Sequence, residues 1–223
     1  MATVAEPRSC PVEGEQRFVI PGVGWDGYQA LLDLIGDRAI RLTYDRGDVE
    51  LMAPLYAHGR FGNLIGYLVE ALADELEMPR VGAGSTTFRA QMLDRGLEPD
   101  ECDYFANAAR LRDTDRIDLA IDPPPDLAIE IEITRGALDR LGISAALGVP
   151  EVWRFDGERL TVHVLGQDAT YRESPTSAAF PFVPMAEVAR FVREYDANND
   201  TRWGRAFRAW VRAQIVPRAE GRG

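Results

Sequence analysis

Apolar residues recur along this chain at two spacings, every third or fourth position and every second position, and the switches between them mark out the expected elements. From about Trp25 to Gly36, Tyr28, Leu31, Leu32 and Ile35 share a helical face, with Asp26 placed to cap the helix and Gly36 to stop it. Ile40 to Tyr44 and Asp48 to Met52 alternate around Asp45, Arg46 and Gly47, which predicts a hairpin. The strongest helical period runs from about His58 to Glu77 through Phe61, Leu64, Ile65, Leu68, Val69, Leu72 and Leu76, and Pro79 prevents its continuation. Strands follow near Val81 to Arg89, Cys102 to Phe105 and Leu127 to Ile133, then a helix from about Ala137 to Leu147 ended by Gly148. Glu151 to Phe155 and Leu160 to Leu165 form a second hairpin around Asp156 and Gly157, and SPTSAAFPFVP reads as an irregular connection. Two helices close the chain, from about Met185 to Tyr195 and from the cap Asp200 to about Val216.

This order predicts an α/β or α+β domain, a mixed central sheet flanked by helices rather than a repeated βαβ unit. At 223 residues and 46% hydrophobic content the chain can bury one substantial core. Residues 1–17 read as a polar leader, 18–184 as the main domain with its N-terminal helix and hairpin, and 185–223 as a helical extension packed on it. No apolar run spans a bilayer and the N-terminus lacks the features of a signal peptide, so a soluble, cytoplasmic protein with no membrane partner is expected.

Charge narrows the chemistry. The formal net charge of −11 repels a polyanion over most of the surface, so nucleic-acid binding requires a local basic site. All 25 basic side chains are Arg, which excludes a catalytic lysine. Cys10 and Cys102 support neither a disulfide framework nor a zinc cluster, and neither His58 nor His163 lies in a nucleophile motif. Residues 201–223 hold six Arg and one Glu, with Arg202, Arg205, Arg208 and Arg212 on a helical row beside Trp203, Phe207 and Trp210. Docking of that aromatic face on the acidic body is favoured over phosphate contact.

The richest chemistry lies in LAIEIEI, Leu127 to Ile133, where Glu130 and Glu132 interrupt an apolar strand after the acidic segment EPDECDYF, Glu98 to Phe105. Carboxylates among Ile, Val and Leu lose hydration unless paired, and a divalent cation suits several at once. The same alternation describes an antiparallel strand with one wet face. Asp126 lies about 13 Å from Glu130 along an extended strand, too far to share an ion. Asp100, following Pro99 at a strand start, can stand opposite Glu130 on a neighbouring strand about 4.8 Å away.

EPDECDYF, PPPDLAIEIEIT, a helix and LGVPEVWRFDG, in that order, resemble the Uma-two family of restriction-endonuclease-like proteins within the PD-(D/E)XK nuclease superfamily. The likeness runs from about Phe18 to Val211 and includes YDRGDVELMAP, the His58 helix and STTFR. It implies a restriction-endonuclease-like core in which Asp100 and Glu130 are the two motif acids. Glu132 stands where the superfamily motif has lysine, and Arg140 stands where this family often places its basic residue.

The resemblance also implies a divalent-metal-dependent endonuclease that hydrolyses phosphodiester bonds in DNA, as a homodimer if it makes paired cuts. Asp100, Glu130 and the Ile131 carbonyl would hold Mg²⁺ or Mn²⁺, and Glu132 would orient or deprotonate water. Arg cannot serve as a neutral base, so Arg140 would steady phosphate charge. His58, Glu50 and Glu70 are secondary candidates, each with a plain reading as a helix-start residue, a strand's wet face and a helix's polar edge. The missing lysine and the acidic charge support an alternative, a catalytically inactive nuclease fold that binds nucleic acid or protein. A hydrolase of a small phosphorylated molecule is a third class.

Overall fold

The computed structural model describes residues 15–111 and 117–221, so Cys10 and most of the polar leader lie outside the described residues. The described strands form two sheets. The smaller, antiparallel throughout, contains β1 (Gln16–Ile20), β2 (Arg41–Asp45), β3 (Asp48–Ala53), β5 (Phe88–Ala90) and β6 (Arg95–Leu97), in the order β1-β3-β2-β6-β5. The larger contains β4 (Val81–Gly82), β7 (Glu101–Tyr104), β8 (Leu127–Ile131), β9 (Glu151–Phe155), β10 (Leu160–Leu165) and β11 (Tyr171–Ser174), in the order β11-β10-β9-β8-β7-β4. Its β8 and β9 are parallel and joined through α3 (Arg140–Ala146), while its other pairings are antiparallel. The remaining helices are α1 (Gly24–Ile35), α2 (Tyr56–Glu75), α4 (Met185–Arg193), α5 (Asp200–Gln214) and α6 (Val216–Glu220).

The 20-residue α2 packs Leu64, Ile65, Leu68 and Leu72 against Leu127, Ile129 and Ile131 of β8 and Trp153 and Phe155 of β9. The other face of the larger sheet brings Cys102, Ala128 and Val152 against Ile143 and Leu147 of the α3 region and against Phe88 and Leu97 of the smaller sheet. Helix α1 covers the far side of that smaller sheet, packing Tyr28 and Ile35 on Leu42 and Tyr44 of β2 and Val49 of β3. All five residues of β8 are therefore buried, and the face that carries Glu130 is not wet. A strand covered on both faces has no solvent side on which an alternating carboxylate can rest.

Several expected boundaries move. The predicted strand from Val81 to Arg89 is two strands in different sheets, β4 and β5, separated by a turn in which Gly84 has φ +57°. β1, β6 and β11, of 3 to 5 residues, were too short to register as a period. β1 also begins at Gln16, inside the segment read as leader. Helix α1 starts after Val23 with no side-chain cap and keeps Asp26 in its first turn. Helix α3 starts at Arg140, capped by Asp139, and α5 is capped by Asn199, which accepts from the Arg202 amide at 2.9 Å. Among the described residues no helix is long and apolar enough to cross a membrane.

Helix α5 docks on α2 as its aromatic pattern requires. Trp203, Phe207 and Val211 are buried, while Arg208 reaches Asp74 and Glu75, and Arg212 reaches Glu75. A Cβ added to Gly204 would stand 2.5 Å from the Tyr67 hydroxyl, so glycine permits the close approach. If packing holds the helix, Phe207→Ala lowers stability by about 3–5 kcal/mol and Arg212→Ala by no more than about 1 kcal/mol. Urea denaturation of the two variants checks that ordering.

Candidate active site

The acidic pair is built by strand register. Glu101 faces Ile129 across β7 and β8, and continuing the antiparallel ladder by one residue sets Asp100 opposite Glu130. The Asp100 amide donates to the Ile129 carbonyl at 3.0 Å, and the Ile131 amide donates to Asp100 Oδ2 at 2.7 Å. Asp100 Oδ1 accepts from His58 Nε2 at 2.6 Å and pairs with Arg41 at 2.9 Å. Arg41 also donates to the Pro99 carbonyl at 3.0 Å, which fixes the approach to the strand.

Glu130 is held from the next element along the chain. Arg140, the first residue of α3, donates to Glu130 Oε2 from Nε at 2.8 Å and from Nη2 at 2.6 Å. The same guanidinium donates to Thr43 Oγ1 at 2.7 Å and to the Glu98 carbonyl at 2.8 Å, so it ties β2 and the chain before β7 to the site. Glu130 Oε1 is buried and has no hydrogen-bond partner among the described residues.

The two acids are pushed apart. Burial raises Glu130 above the usual carboxylate range, and the neighbouring Arg140 does not fully offset it. Burial acts on Asp100 in the same direction, but the His58 hydrogen bond and the Arg41 charge outweigh it and hold Asp100 low. Adjacent carboxylates with divergent proton affinities are an arrangement suited to acid–base or metal chemistry.

Beside Glu130 lies a cavity of about 260 Å³ lined by Arg17, Glu130, Glu132, Arg135, Arg140 and Arg154, among others, which Asp100 does not line. Glu132 is ion-paired with Arg154, which β9 presents directly opposite Glu130 in the parallel register. Glu50 sits behind the cavity, 1% exposed, accepting from Arg17 at 2.7 Å and from the Ala137 amide at 2.5 Å. His58 is also 1% exposed and bridges Asp100 to Glu15 through its two ring nitrogens, so it contacts acids rather than solvent at the start of α2. Glu70 stands apart, about 18 Å farther along α2 by helical rise, half-exposed and 3.5 Å from Arg80. Asp126 accepts from the Phe105 and Asn107 amides at 2.7 and 3.2 Å, which closes the turn after β7 and leaves it away from Glu130.

The sequence reading missed Glu15, Arg17, Arg41, Thr43 and Glu98. Glu15 accepts from His58 Nδ1, Thr134 Oγ1 and Arg17, although it belongs to the segment read as leader. The available signal was the run of β-prone residues Phe18, Val19 and Ile20 after Glu15, Gln16 and Arg17, which marks a short strand and therefore a place in a sheet.

A hard divalent cation fits this donor set in part. The carboxylates of Asp100 and Glu130, carried on neighbouring strands, are oxygen donors, and the unpartnered Glu130 Oε1 is a buried atom that needs a partner. No group of three or more His, Cys, Asp or Glu is arranged to hold a metal among the described residues. Of the hard cations, Mg²⁺ is the one such a two-carboxylate pair would suit, since it binds through one or two carboxylates with water and phosphate completing its shell.

The low-lying Asp100 has a consequence for stability. Because its folded-state proton affinity is depressed, the stabilisation it contributes is present above the unfolded carboxylate range near about pH 4 and is lost as pH falls through its folded value. Asp100→Asn therefore costs roughly 3–5 kcal/mol at neutral pH. In urea unfolding as a function of pH, the gap between the two proteins narrows as pH drops below about 4. A gap that stays constant contradicts the assignment.

Residues 25–193 match the family model "Uma2: Putative restriction endonuclease". Among solved structures, the crystal structure described as that of "a putative nuclease belonging to DUF820 from Anabaena variabilis ATCC 29413" matches at 14% identity and a TM-score of 0.41, covering 73% of this chain and 90% of the other. No curated protein matches the sequence. The matched segment takes in β7, β8 and α3 with Asp100, Glu130 and Arg140, and the chain belongs to the Uma2 family of restriction-endonuclease-like proteins.

Proposed function

We propose that this protein is a divalent-metal-dependent endonuclease that hydrolyses phosphodiester bonds in DNA, acting in the cytoplasm and as a homodimer where it makes paired cuts. The observation that carries the reading is the opposition of Asp100 and Glu130 at the β7–β8 ladder, with Glu130 Oε1 left unpartnered beside an arginine-lined cavity. Membership of the Uma2 family supports a nuclease activity.

Asp100, Glu130 and the Ile131 carbonyl are the residues that would hold Mg²⁺ or Mn²⁺. The bound ion would supply charge stabilisation at a phosphate oxygen and a more acidic water. The chain's own residues divide the remaining work. Arg140 keeps Glu130 oriented through two hydrogen bonds and sets a fixed positive charge next to the reacting phosphate. Its high proton affinity bars it from acting as a base. Glu132 lines the same cavity, and as a carboxylate it is the residue able to orient water or take its proton. His58 and Arg41 hold Asp100 ionised and aimed, and Glu50 braces the 132–137 loop through Arg17 and the Ala137 amide.

One observation favours the second reading, a nuclease fold that binds nucleic acid or protein without cutting. Arg140 and Arg154 occupy Glu130 and Glu132, and no lysine is available to replace them.

The readings separate on supercoiled plasmid incubated with Mg²⁺ or Mn²⁺. The nuclease reading expects metal-dependent nicking that falls by at least about 100-fold in Asp100→Ala and Glu130→Ala, in line with loss of a preorganised charged group. Binding without nicking in the parent protein, or nicking unchanged in both variants, overturns it.

A further inference from the structure

We propose that Arg135 and Arg154 form a clamp for the phosphodiester backbone of a nucleic acid on the approach to Glu130, an inference that rests on the nuclease reading of that carboxylate. The cavity beside Glu130 shares Glu132, Arg135 and Arg154 with an adjoining surface depression that reaches Asp156 and Glu158. These two arginines therefore line both the inner chamber and the surface that leads to it.

The charge distribution singles them out. With a net charge of −11, a polyanion is repelled by most of the surface and must find cations that are unpaired, or paired but exposed enough to present a free edge. Arg17, Arg41 and Arg140 face the same region, but buried Glu50, Asp100 and Glu130 occupy them. On α5, the basic segment of the sequence, Arg202, Arg208 and Arg212 are paired with Asp196, Asp74 and Glu75, and Arg205, exposed and without an ion pair among the described residues, does not line the cavity. Arg135 is exposed and makes no ion pair or hydrogen bond among the described residues. Arg154, with 37% of its side chain exposed, is bound to Glu132 alone and can turn one edge of its fork outward.

Position gives the pair its geometry. Arg154 is the register partner of Glu130 on β9, and Arg135 follows Glu130 by five residues on the segment that leaves β8, so the two cations reach the cavity from different elements. Guanidinium forks bind phosphate oxygens in pairs, which orients a backbone as well as attracting it. Asp156 and Glu158 at the outer end repel further phosphates, which limits the contact to about two.

The test measures binding of labelled duplex and single-stranded DNA by fluorescence anisotropy across a salt series, in a Glu130→Gln background shown to be folded by circular dichroism, with Mg²⁺ present. Removing one phosphate contact makes the slope of log K against log salt shallower by about 0.9 on duplex or about 0.7 on single strands. Arg135→Ala and Arg154→Ala are each expected to show that shift and the double variant twice the shift. Arg154→Lys should retain the slope, and Arg205→Ala, an arginine on α5 away from the cavity, should match the background. Unchanged slopes in the double variant, with nicking by the parent protein still dependent on Glu130, overturn the clamp and leave the nuclease reading intact. The expected slopes without any Glu130-dependent nicking support the clamp and overturn the nuclease reading. Absence of binding to either DNA form overturns the clamp as well.

Discussion

A carboxylate buried inside a sheet must be matched by charge and hydrogen bonds, and at Glu130 the match comes from Arg140, ten residues later in the chain. β8 has no free face: α2 covers one side, α3 and the smaller sheet the other. Glu130 points to the second side, where two bonds from Arg140 satisfy one oxygen and none reaches the other. Removing either partner from such a pair strands the other in a poorly solvated site, at a cost of about 3–5 kcal/mol. Arg140 is the first residue of α3, and from there its guanidinium reaches back to β8.

The same guanidinium joins the two sheets. Its bonds to Thr43 on β2 and to the Glu98 carbonyl before β7 bring the smaller sheet over the acidic end of the larger one. A second set of contacts closes the site from the N-terminal side. Glu15 and Arg17 connect His58, Thr134 and Glu50, so the edge strand β1 braces both the helix that carries His58 and the loop that follows β8. Glu15 and Arg17 precede the segment that matches the family, which begins at residue 25, and this chain therefore builds part of its site wall from outside that segment.

Much of this was legible in the sequence where a pattern was long. The helical period of α2, both hairpins, the aromatic face of α5 and the opposition of Asp100 to Glu130 follow from spacing, turn residues and the span of one strand interval. Short strands were not legible, since three residues at β6 carry no measurable period and Arg-Gly-Leu has no alternation. Contacts distant in sequence were hidden for a different reason. Arg41 and Asp100 are 59 positions apart and meet only because β2 and β7 lie in sheets that fold together. LAIEIEI itself was ambiguous between a wet strand and a buried acidic one, because alternation reports which residues share a face and not what covers that face. The likeness to a known family supplied what periodicity lacked, while the placement of Arg154 against Glu132 emerged only from the parallel pairing of β8 with β9.

Chemically, the site combines two acids of opposed proton affinity, a buried arginine with no role as a base, and a second glutamate, Glu132, two residues along the chain. The structure's logic turns on whether Asp100 and Glu130 act together on a cation or serve only as partners for arginine. Isothermal titration of the protein with Mn²⁺ decides this most directly: saturable binding that disappears in both Asp100→Asn and Glu130→Gln, with each variant still folded, is the predicted result. Binding of equal affinity in the parent and both variants, or none in the folded parent, would contradict it.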